Sequence, residues 1–279
     1  MTSQARQVWR REGVGLAADL KQWQKLRTSR ISIRLPTLVH VMRGSKSVEH
    51  GSRTLRIGAG QLAVLPCGVY DLTNEPGHEG PYEARSLSVD LDRVTNHAPA
   101  RFAGSGSGAF VVSRFDAGLR EAFDQAQRAI VKSEIPEQVA KLRVLALLEW
   151  FKSMGYGLPL PKPSSTSERV RDLIMSQPDK HWDAESVAVH LCMSTPTLRR
   201  RLQDHSETFT GILLDVRMSH ALWLLQTTSL PVTEVALASG YESHSYFSSR
   251  FRERFGFTPT AVRKPANMSI SPGSPVALI

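Results

Sequence analysis

Cysteine is nearly absent from this sequence. Its 279 residues hold two, Cys67 and Cys192, far apart and in no CxxC pair, so neither a disulfide framework nor a zinc ribbon is available. Long hydrophobic runs are missing too. The most apolar stretch, 144–151, contains Glu149 and is far too short to span a membrane. The opening residues, MTSQARQVWRREG, carry charge but no apolar core of a secretory signal. A soluble protein of the reducing cytoplasm, with no membrane partner, is expected. The chain also lacks the clusters that chemistry needs. His40, His50, His78 and His97 form no HxH pair and read as loop or surface residues, not as metal ligands. The run GSGSGA at 104–109 has no clear strand before it and an extended FVVS after it, which makes it a flexible loop and not a nucleotide-binding turn. Gly106 stands where a GxSxG nucleophile would need serine. These absences predict no enzyme, no cofactor and no metal.

What the chain does have is basic charge and enough apolar residues to fold. Lys and Arg number 35 against 26 Asp and Glu, a net charge of +9, which favours an acidic partner such as nucleic acid. Apolar residues make up 41 %, enough for a core, and the length suits about two domains of roughly 100–200 residues. Leu16, Leu20, Trp23 and Leu26 recur at helical spacing and predict a short helix over 14–26. From about 30 to 95, short runs such as ISIRL, TLVHVM, QLAVL and ARSLSVDL alternate with turn residues, the texture of an antiparallel β-barrel or sandwich. Arg53 and Arg56 read as exposed strand positions there. Residues 96–108 form a Gly/Ser/Ala loop. Helices are predicted over about 115–155, the second opening at Pro136 and stopping at Gly155. The Pro/Ser-rich segment 157–167 is the predicted linker, and Ser165 with Glu168 makes a capping box for the helix that follows. The unpatterned tail 265–279 is expected to be disordered.

The C-terminal part contains a weak internal repeat. Val187-Ala188-Val189 returns as Val235-Ala236-Leu237, an offset of 48, and Leu198 and Leu202 return as Phe247 and Phe251, an offset of 49. Each unit is a short apolar helix, a sharp break, and a second helix rich in Arg: the helix-turn-helix layout, whose second helix enters the DNA major groove. Ser194 and Ser243 stand as N-caps of the second helices. At about 100° per residue, Leu198 and Leu202 define one buried stripe. Arg200 lies nearly opposite it, Pro196 and Gln203 beside Arg200, and Thr197 and Arg199 on the flanks. In the second unit Phe247, Phe251 and Phe255 define the stripe. Ser249 lies opposite, with Ser245 and Arg252 beside it and Tyr246 on a flank. Arg binds guanine bidentately, Gln binds adenine, and Ser serves base or phosphate. The apolar segment 209–226 predicts a connecting helix of roughly 27 Å at 1.5 Å per residue. Such a rod can hold two recognition helices about one DNA turn, ~34 Å, apart.

The stretch LPVTEVALASGYESHSYFSSRFRERFGFTPTAVR, 230–263, resembles the second helix-turn-helix of the AraC/XylS family of bacterial transcription regulators, and MSTPTLRRRL, 193–202, resembles the first. The similarity covers roughly 181–264. LLDVRM with Ala221 and the following Leu pair is similar to a subgroup of acid-resistance and enteric virulence regulators. The resemblance implies a seven-helix DNA-binding domain. Its contact positions fall on Pro196, Thr197, Arg199, Arg200 and Gln203, then on His244, Ser245, Ser248, Ser249 and Arg252. Pro196 stands where a donor is common, and Ser249 where Arg or Lys is common. The family pairs this domain with a cupin-type barrel that senses a small molecule or protein, and LRIGAGQLAVLP (55–66) and YEARSLSVD (82–90) are similar to strands of that barrel. Helices such as those at 116–154 mediate dimerisation in such proteins.

The expectation is therefore an α+β, multidomain chain. Residues 1–156 form an effector-binding or dimerisation domain with a cupin-like β-barrel. Residues 168–264 form an AraC-type DNA-binding domain. The function is a sequence-specific transcription regulator, an activator, whose partners are double-stranded DNA, RNA polymerase, a small-molecule or protein effector and a second copy of the chain. The alternatives are a non-specific architectural DNA binder and a ligand-sensing module acting through protein partners. Bulk charge does not favour the predicted DNA-binding domain. Residues 168–264 hold 12 Lys and Arg against 11 Asp and Glu, whereas residues 1–163 hold 23 against 15. The case rests on where Arg199, Arg200, Arg201, Arg250, Arg252 and Arg254 lie.

Overall fold

A computed structural model describes residues 8–78, 80–95, 108–156 and 165–262. The chain opens with nine strands: β1 (Val8–Arg11), β2 (Gly15–Gln22), β3 (Leu26–Ile33), β4 (Thr37–Arg43), β5 (Ser45–His50), β6 (Arg53–Ile57), β7 (Leu62–Leu65), β8 (Gly68–Glu75) and β9 (Tyr82–Val89). After the short helix α1 (Leu91–Val94) come strand β10 (Phe110–Val111) and helices α2 (Ala117–Val131) and α3 (Glu137–Ser153). The strands form two antiparallel sheets, in the orders β1-β2-β9-β4-β7-β10 and β3-β8-β5-β6.

The larger sheet is covered on both faces, and period-two alternation sorts its side chains. Leu38, Leu62, Val64, Leu87 and Val89 face α2 and α3, where Phe123, Val144, Leu147 and Phe151 complete one core. Val39, Val41, Ala63, Leu65, Tyr82 and Ala84 point the other way, against Val48, Ile57 and Tyr70 of the smaller sheet. Burial on both faces explains why LAVL in β7 is apolar throughout.

Two expectations are corrected here. Residues 14–26 are not a helix. Positions four apart share a face in a strand as well as in a helix. Leu16 and Leu20 both lie in β2, which is paired along its length with β9 and at its start with β1. The β-rich part therefore begins at Val8, well before residue 30. His40 is not a surface histidine. It lies in β4 at 6 % exposure, its ring 4.8 Å from that of Phe115 and 6.1 Å from that of Phe123. Arg53 and Arg56 are exposed, as expected. The loop 96–107 with His97, the segment 157–164 of the expected linker and the tail 263–279 lie outside the described residues.

The C-terminal part is helical: α4 (Thr166–Ser176), α5 (Ala184–His190), α6 (Thr195–Gln203), α7 (Phe209–Thr227), α8 (Val232–Ala238) and α9 (His244–Phe255), then a 3-10 turn at Pro259–Val262. The Ser165–Glu168 capping box opens α4. Helix α7 is the common spine. Ile212 and Val216 of its first half join Val170, Ile174, Val187, Leu198 and Leu202 in one core. Met218, Ala221, Leu222 and Leu225 of its second half join Val235, Phe247 and Phe251 in another.

The barrel and the helical part are bound together. Leu26 of β3, 3 % exposed, lies in the second helical core. Between Thr28 and Ile31 the β3–β8 register slips, and Arg30 adopts a left-handed backbone with φ of 59°. The bulge turns Arg30 toward the helices. It pairs with Glu207 and with Asp215, whose Oδ2 is 3.2 Å from Nε. Arg171 of α4, 3 % exposed, reaches the same two carboxylates. Arg34 pairs with Asp172, and Gln226 Nε2 donates to Gln22 Oε1 at 3.1 Å.

His40 makes the stability of the chain depend on acid. Burial first, and then the neighbouring Arg120 and Arg85, push its pKa from 6.5 to about 4 against the opposing charge of Asp124. The unfolded chain takes up this proton near pH 6.5 and the folded chain only near pH 4, so acid favours unfolding between the two. The urea midpoint should fall as the pH is lowered through that window, by at most about 1.4 kcal/mol per pH unit from this group. Denaturation of His40→Gln across the same range should show a shallower fall; parallel curves for the two proteins would refute the assignment.

Candidate nucleic-acid interface

Each recognition helix is built the same way. In α6, Ser194 Oγ accepts from Thr197 N at 3.3 Å and Pro196 sits in the first turn, where its missing N–H costs nothing. In α9, Ser243 Oγ accepts from Tyr246 N at 3.3 Å, and the helix stops at Gly256 with φ of 83°. The apolar stripes are buried: Leu198 and Leu202 in α6, Phe247 and Phe251 in α9. That fixes what each helix presents outward.

Arg199, Arg200, Gln203 and Pro196 are exposed on α6. Thr197 is half-buried, and its hydroxyl is 2.8 Å from that of Ser194, so the cap already engages it. On α9, His244, Ser245, Ser249 and Arg252 are exposed and Ser248 is half-buried. The arginines divide into two kinds. Arg250 pairs with Glu253 at 2.6 Å and Arg254 with Asp215 at 3.1 Å. Among the described residues no ion pair engages Arg199, Arg200, Arg201 or Arg252.

Arg254 corrects the sequence reading. It was grouped with the arginines that carry the DNA case, yet it turns inward and also donates to Ser29 O at 2.8 Å. Its position in the helix already pointed this way, since it neighbours Phe255 of the apolar stripe. Tyr246, read as a flank residue, is 58 % exposed beside the polar face of α9.

A second place of interest is a cavity of about 1200 Å³ between the two sheets and α7. Leu20, Ile33, Val39, Leu72 and Trp223 supply apolar wall. Lys46 supplies a cation: 4 % exposed, it donates to Asn74 Oδ1 at 2.8 Å, and burial lowers its pKa to about 8. No cluster of three metal-ligating side chains occurs among the described residues.

Comparison with known proteins bears on the helical part first. A family profile described as a helix-turn-helix domain matches residues 187–265, which span α6, α7, α8 and α9. The C-terminal unit is a helix-turn-helix domain, in keeping with its resemblance to the AraC/XylS regulators. The transcriptional regulator SirC of Salmonella typhimurium is 34 % identical over 103 residues, covering 37 % of this chain and 35 % of that protein. The virulence regulon transcriptional activator VirF of Shigella flexneri is 35 % identical over 95 residues, covering 34 % and 36 %. The matched region thus spans about a third of these relatives. The likeness in fold extends further. A structure of ToxT from Vibrio cholerae superposes with a TM-score of 0.63 at 11 % identity, covering 92 % of this chain and 97 % of that one. A β-rich N-terminal domain followed by a helical domain is therefore a shared architecture. No helix among the described residues is long and apolar enough to cross a membrane.

Two neighbouring arginines of α9 should behave in opposite ways. Arg254→Ala removes partly buried, charge-assisted bonds to Asp215 and Ser29 and should cost on the order of 1.5–3 kcal/mol in urea denaturation. Arg252→Ala, at an exposed position, should change stability by less than about 0.5 kcal/mol. Equal effects would contradict the inward placement of Arg254.

Proposed function

We propose that the protein is a sequence-specific, DNA-binding transcription regulator, acting as an activator, which inserts α6 and α9 into successive major grooves. One observation carries this: two capped helices present polar faces with unpaired arginines, and both are mounted on the single buried helix α7. Its 19 residues at about 1.5 Å each make α7 a rod of roughly 28 Å, to which the outward-set recognition helices add toward the ~34 Å of one DNA turn. In this reading Arg199, Arg200, Gln203 and Thr197 serve the first groove, and His244, Ser245, Ser248, Ser249 and Arg252 the second. Arg200, farthest from the buried stripe, reads a base, and the small serines of α9 make the second groove the less discriminating. The relatives named as regulators and as an activator support the biological role.

The cavity supports an effector. A crystal structure of ToxT carries an unsaturated fatty acid, and that protein shares the fold at 14 % identity. Here an apolar chamber containing one buried ammonium suits an anionic amphiphile of the same class. Lys46 is the counter-charge, and α7 is the wall through which occupancy reaches both recognition helices. Regulation further involves RNA polymerase, and a homodimer formed through the exposed stripe Val139, Leu142 and Trp150 on α3. The cytoplasm is the compartment in which these partners meet.

Selection of bound genomic fragments followed by footprinting tests the main reading. Two protected patches one helical turn apart on one DNA face, with affinity falling steeply as salt rises, are expected. Binding without a preferred sequence would establish the architectural alternative instead. On the selected site, Arg200→Ala should cost about 1–3 kcal/mol and relax base choice at one position. A uniform loss on all sequences would make Arg200 a phosphate contact, and no loss would overturn the face assignment.

A further inference from the structure

Helix α7 changes allegiance near its middle. Val216 is its last fully buried residue in the core of the first helix-turn-helix, and Met218 its first in the core of the second, with the partly buried Leu214 already packed against the second. Between Val216 and Met218 stands Arg217, half-buried. Its guanidinium reaches into both units. Nε donates to Pro178 O at 3.1 Å and Nη2 to Lys180 O at 2.9 Å, in the turn that leads into α5. That turn is itself held, since Trp182 Nε1 donates to Gln177 O at 2.8 Å and Lys180 Nζ lies 4.2 Å from the Trp182 ring. The other side of the guanidinium lies against the break between α8 and α9. Its Cζ is 5.9 Å from the Tyr241 ring centre, and Gly240 packs directly on it. A Cβ on Gly240 would fall 2.6 Å from Cζ and from Nη2, closer than non-bonded atoms approach. Gly240 also has φ of +77°, which favours glycine on its own account, and any side chain there would have to displace the Arg217 guanidinium.

The planar fork explains why arginine occupies this position. Two carbonyls at a set spacing fix its orientation, and the flat face left over forms a floor for a backbone turn. One turn further along α7, His220 Nδ1 lies 3.3 Å from Ser239 Oγ and adds a second contact to the same break. Asp215, two residues before Arg217, points to the opposite side of α7, where it pairs with Arg30 of the barrel as well as with Arg171 and Arg254. The clamp at Arg217 is thus internal to the helical domain.

We propose that Arg217 is a positioning residue that sets the angle between the two recognition helices, with Gly240 left without a side chain to receive it. Burial of α7 in two separate cores fixes each unit to the rod, and the polar links from one unit to the other are the Asp215 ion pairs with Arg171 and Arg254 on one side of α7 and the Arg217 clamp on the other. Arg217 joins the entry turn of the first unit to the internal turn of the second. The consequence for DNA rests on the two-groove reading proposed above; the mechanical role does not.

Pulsed electron-electron resonance on the full chain separates the two. With Cys67 replaced by Ser, nitroxides are placed on Cys192, exposed in the break of the first unit, and on Glu242→Cys, exposed in the break of the second. Without DNA, the native Arg217 should give a single narrow distance distribution, and Arg217→Met, which keeps the apolar stem, a broadened or displaced one. On DNA, Arg217→Met should lose on the order of ten-fold in affinity for the full selected site. It should keep its affinity for a site with one half scrambled, and tolerate one base pair added between the halves better than the parent does. A residue needed only for stability would weaken full and half sites alike. Should Arg217→Met prove too unstable to purify, Arg217→Lys, which reaches only one of the two carbonyls, takes its place with the same expectations. An unchanged distance distribution in a folded variant overturns the proposal. Indifference of the parent protein to scrambling of one half site overturns the two-groove reading, while the distance measurement still decides the role of Arg217.

Discussion

The structure depends on one helix being buried on nearly every side. Ordinary amphipathic helices spend half their surface on solvent. Helix α7 spends its surface on two cores, one for each helix-turn-helix, and on the barrel. No unit of the C-terminal domain can therefore move without disturbing a surface shared with another. The short helices α5 and α8, seven residues each, have too few residues to persist alone and gain their order from this spine.

Charge follows the same economy. Asp215 lies on α7 and Glu207 in the turn before it, and together they gather Arg30 from the barrel, Arg171 from α4 and Arg254 from α9. Three arginines thus share two carboxylates, and each arginine has two partners. Arg171 and the two carboxylates have little solvent access, so breaking their pairing is costly because the partner left behind stays buried, whereas Arg30 reaches them from the solvent side. The pairing fixes a particular docking of barrel on helices and contributes little non-specific adhesion. The bulge that gives Arg30 its left-handed backbone belongs to this arrangement, since a regular strand would carry the side chain along the sheet.

Much of the helical domain was legible in the sequence because its signals are local. Caps at Ser194 and Ser243, stripes at Leu198/Leu202 and Phe247/Phe251, and the apolar run of α7 each lie within a few residues, and helical period turns them directly into faces. The β-domain was legible as texture but not in its boundaries. Leu16 and Leu20 satisfy helix and strand alike, and only pairing with β9, some seventy residues away, decides between them. His40 misled because histidine carries no mark of burial; Phe115 and Phe123, which enclose it, come from another element. The docking of the two domains was not legible at all. No spacing rule brings residues 30, 171, 207, 215 and 254 together, and by sequence Arg254 stands with the arginines expected to face DNA. The direction in which an arginine points depends on neighbours that sequence spacing does not reveal.

Leu26 carries a consequence for how the protein is made. It leaves the ribosome early, in a strand that is completed when β8 is formed, yet the core it fills is supplied by α7, α8 and α9. Gln22 waits 204 residues for Gln226, and Ser29 waits 225 for Arg254. Throughout that interval the finished barrel displays a bare leucine and a bulged arginine with nothing to cover them. Contacts this distant along the chain form late and slowly. The nascent protein thus passes through a long-lived stage with an adhesive flank, the kind of exposure that invites aggregation or chaperone attendance. The barrel's exposed flank is thus a property of the unfinished chain, distinct from the stability of the completed molecule.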